Sequence, residues 1–288
     1  MILKKSKSYL PDIKEKKMTK IITCVDGSGI THAVADAAIW AARKLDNPLC
    51  FLHTIEKLQQ HGADDYTGTI GLGARSALLK EMTELDEKRG KVALKLGKEL
   101  LDNVSKRAFE SGLKKIETLQ RHGDIIERVN EIQDDACLIV IGRNGKGHDG
   151  DFKVLGSHIE TLLRKASHPV LVVPGEFKQP SSFMIAYDGR ETADKALQKI
   201  IDDGLLHGLH CHLVSVKNKE INLKEKFDSA KQLLESKGFK VTASFLEGDI
   251  HQSLMDYKTK NNVELVVIGA FGHSKLRQFF VGSNTMKM

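Results

Sequence analysis

The sequence predicts an α/β protein made of two tandem doubly wound units, each with a parallel sheet. Three observations point there. Short runs of continuously apolar residues, closed by glycine or aspartate, alternate with helix-period segments, as strands buried on both faces require. The C-terminal half repeats the landmarks of the N-terminal half at matched spacing. A chain of 288 residues with 41% hydrophobic content is too long for one ordinary domain and comfortable for two.

The first unit opens on the apolar run 21–25, which ends in Asp26-Gly27-Ser28. Val34, Ala37, Ala38 and Ala41 follow at helical spacing and place Trp40 in the core. Residues 49–55 are the second strand, closing at Thr54. An insertion at about 56–77 carries four glycines and reads as a flap or a surface excursion. After it comes a helix over 78–111, with Leu85, Val92, Leu96, Leu100 and Val104 on one face. Gly123 breaks the third strand and Asp124 is placed as N-cap of the next helix. Residues 138–142 are the fourth strand, 159–167 a helix and 169–173 the fifth strand.

The second unit repeats this. The run 183–187 ends in Asp188-Gly189, and Asp188 to Val216 is 28 positions, as is Asp26 to Thr54. Gly248-Asp249 repeats Gly123-Asp124, and 265–269 repeats 138–142. One spacing departs: 70 positions separate Thr54 from Asp124, against 33 from Val216 to Asp249. The expected organisation is a basic flexible tail at 1–17, a first domain at 18–175 and a second at 181–288.

The tail carries +4 of the formal +6, so the body is nearly balanced and nucleic acid is not an expected partner. No stretch approaches the ~20 apolar residues of a membrane helix, and no secretory pattern opens the chain, so a cytoplasmic location is expected. Four scattered cysteines beside apolar runs read as reduced buried thiols, and neither they nor the twelve histidines fit a metal template.

The most specific signal follows the run 265–268. Gly269-Ala270-Phe271-Gly272 is succeeded by nine residues and then Gly282-Ser283-Asn284. Glycines let bare backbone N–H groups approach an oxyanion, and Gly282-Ser283-Asn284 reads as a helix start, where unpaired N–H groups and the dipole favour phosphate. Lys275 and Arg277 lie between as neutralising cations.

This pattern resembles the ATP-binding motif of the universal stress protein family in its tandem form, and the resemblance runs from about residue 19 to 288. It implies Rossmann-like, adenine nucleotide alpha hydrolase-like domains with strand order 3-2-1-4-5, which places the reversal of order beside Asp188 and Gly269. It implies ATP, with Mg²⁺ an option, in the second unit. There Asp188 and Val216 would hold adenine and ribose, and Gly269, Gly272, Gly282, Ser283 and Asn284 the phosphates. The family's Asp-x-Ser is here Asp188-Gly189-Arg190, leaving Arg190 either on phosphate or in solvent. The weaker first-unit set is Asp26, Thr54, Gly142, Gly145, Gly156 and Ser157. There ten residues separate the glycine pairs, and Asp149 and Asp151 among them disfavour phosphate unless a cation intervenes.

In the family the two units pair as a pseudo-dimer through their fifth strands. Here the second unit reads as truncated before its fifth strand, which would leave 170–173 an open apolar edge and a route to a homodimer. The resulting expectation is a non-catalytic nucleotide-binding sensor or scaffold, since no Gly-x-x-x-x-Gly-Lys loop and no nucleophile elbow is present. The alternatives are a nucleotide-dependent enzyme (a weak ATPase or an ATP pyrophosphatase) and a nucleotide-free dimerisation module.

Overall fold

Where an apolar run has both flanks covered, its strand sits inside a parallel sheet, and the structure places every such run that way. The computed structural model describes residues 19–55, 72–143, 157–269 and 284–287. In the first unit these form β1 (Lys20–Cys24), α1 (Thr31–Leu45), β2 (Leu49–Ile55), α2 (Leu72–Glu110), β3 (Ile116–His122), α3 (Ile125–Ile132), β4 (Ala136–Gly142), α4 (Ser157–Lys165) and β5 (Val170–Val173). In the second they form β6 (Ser182–Ala186), α5 (Glu191–Asp203), β7 (His210–Val216), α6 (Leu223–Ser236), β8 (Lys240–Leu246), α7 (Ile250–Lys260), β9 (Leu265–Ile268) and β10 (Asn284–Lys287).

All ten strands share one sheet, in the order β3-β2-β1-β4-β5-β10-β9-β6-β7-β8. Each half therefore has the order 3-2-1-4-5. Every pairing is parallel except β5 with β10, which is antiparallel and lies where the two halves mirror each other. Ile21, Ile22 and Thr23 are fully buried in β1, as are Phe183 and Met184 in β6.

One core cluster lies between the sheet and the helices α1, α2, α5 and α6. It runs through both units, from Phe51, Trp40 and Val104 to Phe183, Leu197 and Phe227. The opposite face carries a separate cluster for each unit, one around Ile139 and Leu162, the other around Met184 and Leu254. Trp40 is core, as its helical spacing requires, and its ring lies 5.8 Å from Phe177 in the segment joining the units. The capping aspartates also act as expected. Asp124 accepts from Ile126 N at 2.8 Å and Glu127 N at 3.2 Å, and Asp249 from Gln252 N at 3.0 Å.

Three expectations change. The edge of β5 is covered: Val172 and Val170 pair with Thr285 and Lys287. An apolar edge with unpaired backbone groups is a liability, and a strand laid between β9 and β5 gains ladder bonds on both sides. The second unit is still abbreviated, since 15 residues separate β9 from β10 against 27 between β4 and β5. Second, Asn284 opens a strand and not a helix. Third, α2 begins at Leu72, so residues 72–77 of the expected insertion are helical; residues 56–71 lie outside those described.

Candidate functional site

The order of strands reverses between β6 and β9. The helices after β6 and β7 pack on the shared core face, whereas α7, which leads into β9, packs on the other. A crevice opens at such a point beyond the carboxyl ends of the strands.

Asp188 leaves β6 into this crevice, half-buried. Its Oδ1 accepts from Arg190 N at 3.1 Å, closing an Asx turn, and its Oδ2 lies 3.7 Å from Arg190 Nε. Arg190 is therefore at the exposed rim, facing the carboxylate. Gly189 between them is buried with φ +78, and a Cβ there would meet Leu223 Cδ1 at 2.7 Å. Only glycine suits this turn.

Val216 is placed by the ladder. Tyr187 N donates to Val214 O at 2.8 Å, so Val216, two residues on, turns its own N–H and C=O to the same side. By that point β6 has already left the sheet: its last paired residue is Ala186, opposite Val214. Gly269 follows β9 directly, and a Cβ there would stand 3.1 Å from Thr192 O at the start of α5. That position is held as bare backbone.

Polar side chains from the β7–α6 connection stitch this rim together. Asn218 Nδ2 donates to Asp188 O at 3.1 Å, while Asn218 Oδ1 accepts from Glu220 N at 2.7 Å. Lys226 Nζ donates to Gly189 O at 2.9 Å and to Glu220 Oε1 at 2.7 Å. Lys226 holds the Glu220 carboxyl below its usual range, with a smaller contribution from Arg190. Sequence reading missed Asn218, Glu220 and Lys226, because a short polar connection gives no signal of its direction.

The phosphate side is reached only in part. Gly272, Gly282 and Ser283 lie outside the described residues. Asn284, expected beside them in a first helical turn, is opposite Leu265 at the amino end of β9, whereas Gly269 is at the carboxyl end. Asn284 is not part of the crevice.

The first unit builds the same turn with different lips. Asp26 Oδ1 accepts from Ser28 N at 2.9 Å and from Thr31 Oγ1 at 3.4 Å, and Gly27 has φ +74. Thr54 lies two residues past Leu52, whose carbonyl accepts from Val25 N at 2.9 Å. A Cβ on Gly142 would run into Ile30 Cδ1 at 2.6 Å. Arg143 after it is buried, and burial lowers its pKa. Gly145 and Gly156 lie outside the described residues, but Ser157 is the first residue of α4, so the expected helix start is present in this unit.

A cavity of about 460 Å³ lined by Asp36, Trp40, Arg43, Lys44 and Phe177 sits along the second half of α1 and the joining segment. It lies away from the carboxyl ends of the strands and shares no residue with the crevice. Among the described residues no group of histidine, cysteine and carboxylate side chains could hold a metal, and no helix is long and apolar enough to cross a membrane.

The model for the universal stress protein family matches residues 17–174 and 181–288. A Synechocystis protein named Universal stress protein Slr1230 is 27% identical over 275 residues, which cover 94% of this chain and 96% of that protein. Among solved structures, a universal stress protein from Archaeoglobus fulgidus has a TM-score of 0.65 at 16% identity, covering 94% of this chain and 98% of that one. A functionally unknown protein from Pseudomonas aeruginosa, PA1789, gives 0.59 at 14% identity over 94% and 92%. Likeness at these identities bears on the fold alone.

Proposed function

The chain belongs to the universal stress protein family, and on that premise we propose that it binds an adenine nucleotide, ATP, in its second unit and acts as a non-catalytic cytoplasmic sensor or scaffold. The observation that carries the reading is Gly269. It stands at the reversal of strand order, where an added Cβ would lie in tight contact with Thr192 O at 3.1 Å, and it begins the spacing Gly-x-x-Gly, nine residues, Gly-Ser. Asp188 and the backbone of Val216 would face adenine and ribose. Gly269, Gly272, Gly282 and Ser283 would offer N–H groups to the phosphates, with Lys275 and Arg277 supplying positive charge and Mg²⁺ accompanying the phosphates where it is bound.

A non-catalytic role is supported by the groups at the rim. Asp188 is engaged by Arg190, and Glu220 by Lys226. Neither is a base poised over an attacking water.

A second reading has its own observation: α4 starts at Ser157, so the helix N-terminus that the motif calls for is present in the first unit. One titration separates the two. Isothermal titration with ATP should give about one equivalent per chain. Gly282→Val should abolish it by filling the backbone approach, and Gly156→Val should leave it intact. The reverse pattern would move the site to the first unit, and unchanged binding in both variants would remove the proposal.

A further inference from the structure

The two units cover their second and third strands with helices of very different length. In the second, α6 does so with 14 residues. In the first, the matching part of α2 is its last 14, 97–110. Gly97 opens that part: a Cβ there would strike Gln120 Nε2 and the His53 ring, and Leu101, Val104 and Ala108 beyond it are buried. The rest of α2 is surplus to the fold.

Residues 80–96 lie almost wholly in solvent. Met82, Leu85, Val92 and Leu96 are all exposed, Val92 and Leu96 at 57% and 58%. Their steps of three, seven and four follow the a/d pattern of a coiled-coil seam, with Arg89 at the intervening position. The sequence places these residues on a helical face suited to a core. The structure leaves that face without a partner among the described residues.

The charge on the same segment is sorted by sign. After Lys80, residues Glu81, Glu84, Asp86 and Glu87 occupy the first part with no cation among them. Lys88, Arg89, Lys91, Lys95 and Lys98 occupy the second with no carboxylate. Within one helix the two blocks meet only at their boundary, where Glu87 pairs with Lys91 at 2.7 Å and Asp86 with Arg89 at 3.9 Å; beyond the basic block Lys95 reaches Glu99 at 4.0 Å, an exposed contact worth little.

We propose that this half-helix pairs antiparallel with the same segment of a second copy of the chain. An antiparallel pair centred on residue 87 sets Met82 opposite Val92 and Leu85 opposite Arg89, and brings Glu81 towards Lys95. Acidic half then lies on basic half at both ends. A parallel pair would stack like charges along its whole length, which is disfavoured. The exposed segment is ~25 Å long, a small contact of the kind that associates reversibly.

Sedimentation equilibrium on the full chain tests this. The wild type should shift from monomer to dimer with concentration and revert as salt screens the charges. Glu81→Lys with Asp86→Lys makes the flanks basic, and Lys88→Glu with Lys95→Glu makes them acidic. Each variant alone should associate at least about tenfold more weakly, and an equimolar mixture should recover dimers. All four positions are exposed, and the intrahelical pairs of Asp86 and Lys95 are weak surface contacts, so the circular dichroism melt should shift only slightly. A wild type that remains monomeric, as it would if another segment of the same chain covered the stripe, overturns the proposal. So do variants that dimerise like the wild type, or a mixture that fails to associate.

Discussion

Gly189→Ala is the sharpest probe of how the crevice is built. Two costs add. The backbone at φ +78 is left-handed, which penalises any side chain by about 1–2 kcal/mol. The new methyl would sit 2.7 Å from Leu223 Cδ1 and 3.2 Å from Glu220 Cγ, and Leu223 is itself 5% exposed, so its buried side chain must repack, at about 1 kcal/mol. Gly238→Ala is the matched control. Its φ is +84, and nothing lies within 4 Å of the added Cβ, so it carries the backbone cost alone. Urea unfolding followed by circular dichroism should place Gly189→Ala below Gly238→Ala by about 1 kcal/mol. ATP titration should show weaker binding only in the Gly189 variant, since Lys226 and Asn218 hold that loop. Equal destabilisation by the two would mean that the β7–α6 connection does not close on Gly189, and the account of the rim would fail.

Other outcomes follow from burial. Burial pushes the thiols of Cys24 and Cys211 up to about 12 and that of Cys50 to about 11, while Cys137 is only half-buried. A disulfide reagent at pH 8 should therefore titrate no more than one thiol in the folded chain and all four in denaturant; three fast thiols would contradict the packing. His212 is held below the ordinary histidine range by burial first and by His210 second; its ring stacks on His210 at 4.7 Å and its Nδ1 bonds Tyr257 OH at 3.1 Å. His168 is lowered too, chiefly by burial. A histidine whose folded pKa is depressed stabilises the fold above its unfolded pKa of about 6.5, and that stability is lost as pH falls through the folded value. Urea midpoints should drop between pH 7 and pH 5, and His212→Gln should flatten part of the slope; an unchanged slope would remove His212 as a contributor.

The repeat could be read because its landmarks are local. A strand that ends in Asp-Gly, or an aspartate that caps the next helix, is dictated by residues within five positions, and Asp26, Asp188, Asp124 and Asp249 all stand where the pattern puts them. Features that depend on distant partners were not legible. Nothing in Asn284-Thr285-Met286-Lys287 declares a strand; its reason to extend is the pair of edges offered by β5 and β9. The helix pattern in α2 was equally visible at Leu85 and Val104, yet one is exposed and the other buried, because periodicity records a face and not what meets it. Asn218 and Lys226 went unnoticed because their roles depend on a turn folding back on another loop.

Comparing the two copies separates what the fold requires from what a ligand would feel. Positions that repeat are those where sterics favour glycine. Gly27 and Gly189 both need positive φ, and Gly142 and Gly269 are both overlaid by the first turn of a helix. Positions that differ line the crevices. Ser28 stands where the second unit has Arg190, and Thr54 stands where it has Val216. Away from the crevice the copies diverge as well: His158 lies in the first turn of α4, where Asn284 of the second unit begins a strand. In the second unit the Glu220–Lys226 clasp closes the rim; the corresponding connection of the first unit, residues 56–71, lies outside those described. Shared scaffolding with divergent lips is what two non-equivalent sites demand. If one nucleotide binds per chain, the cause lies in these lips and not in the sheet beneath them.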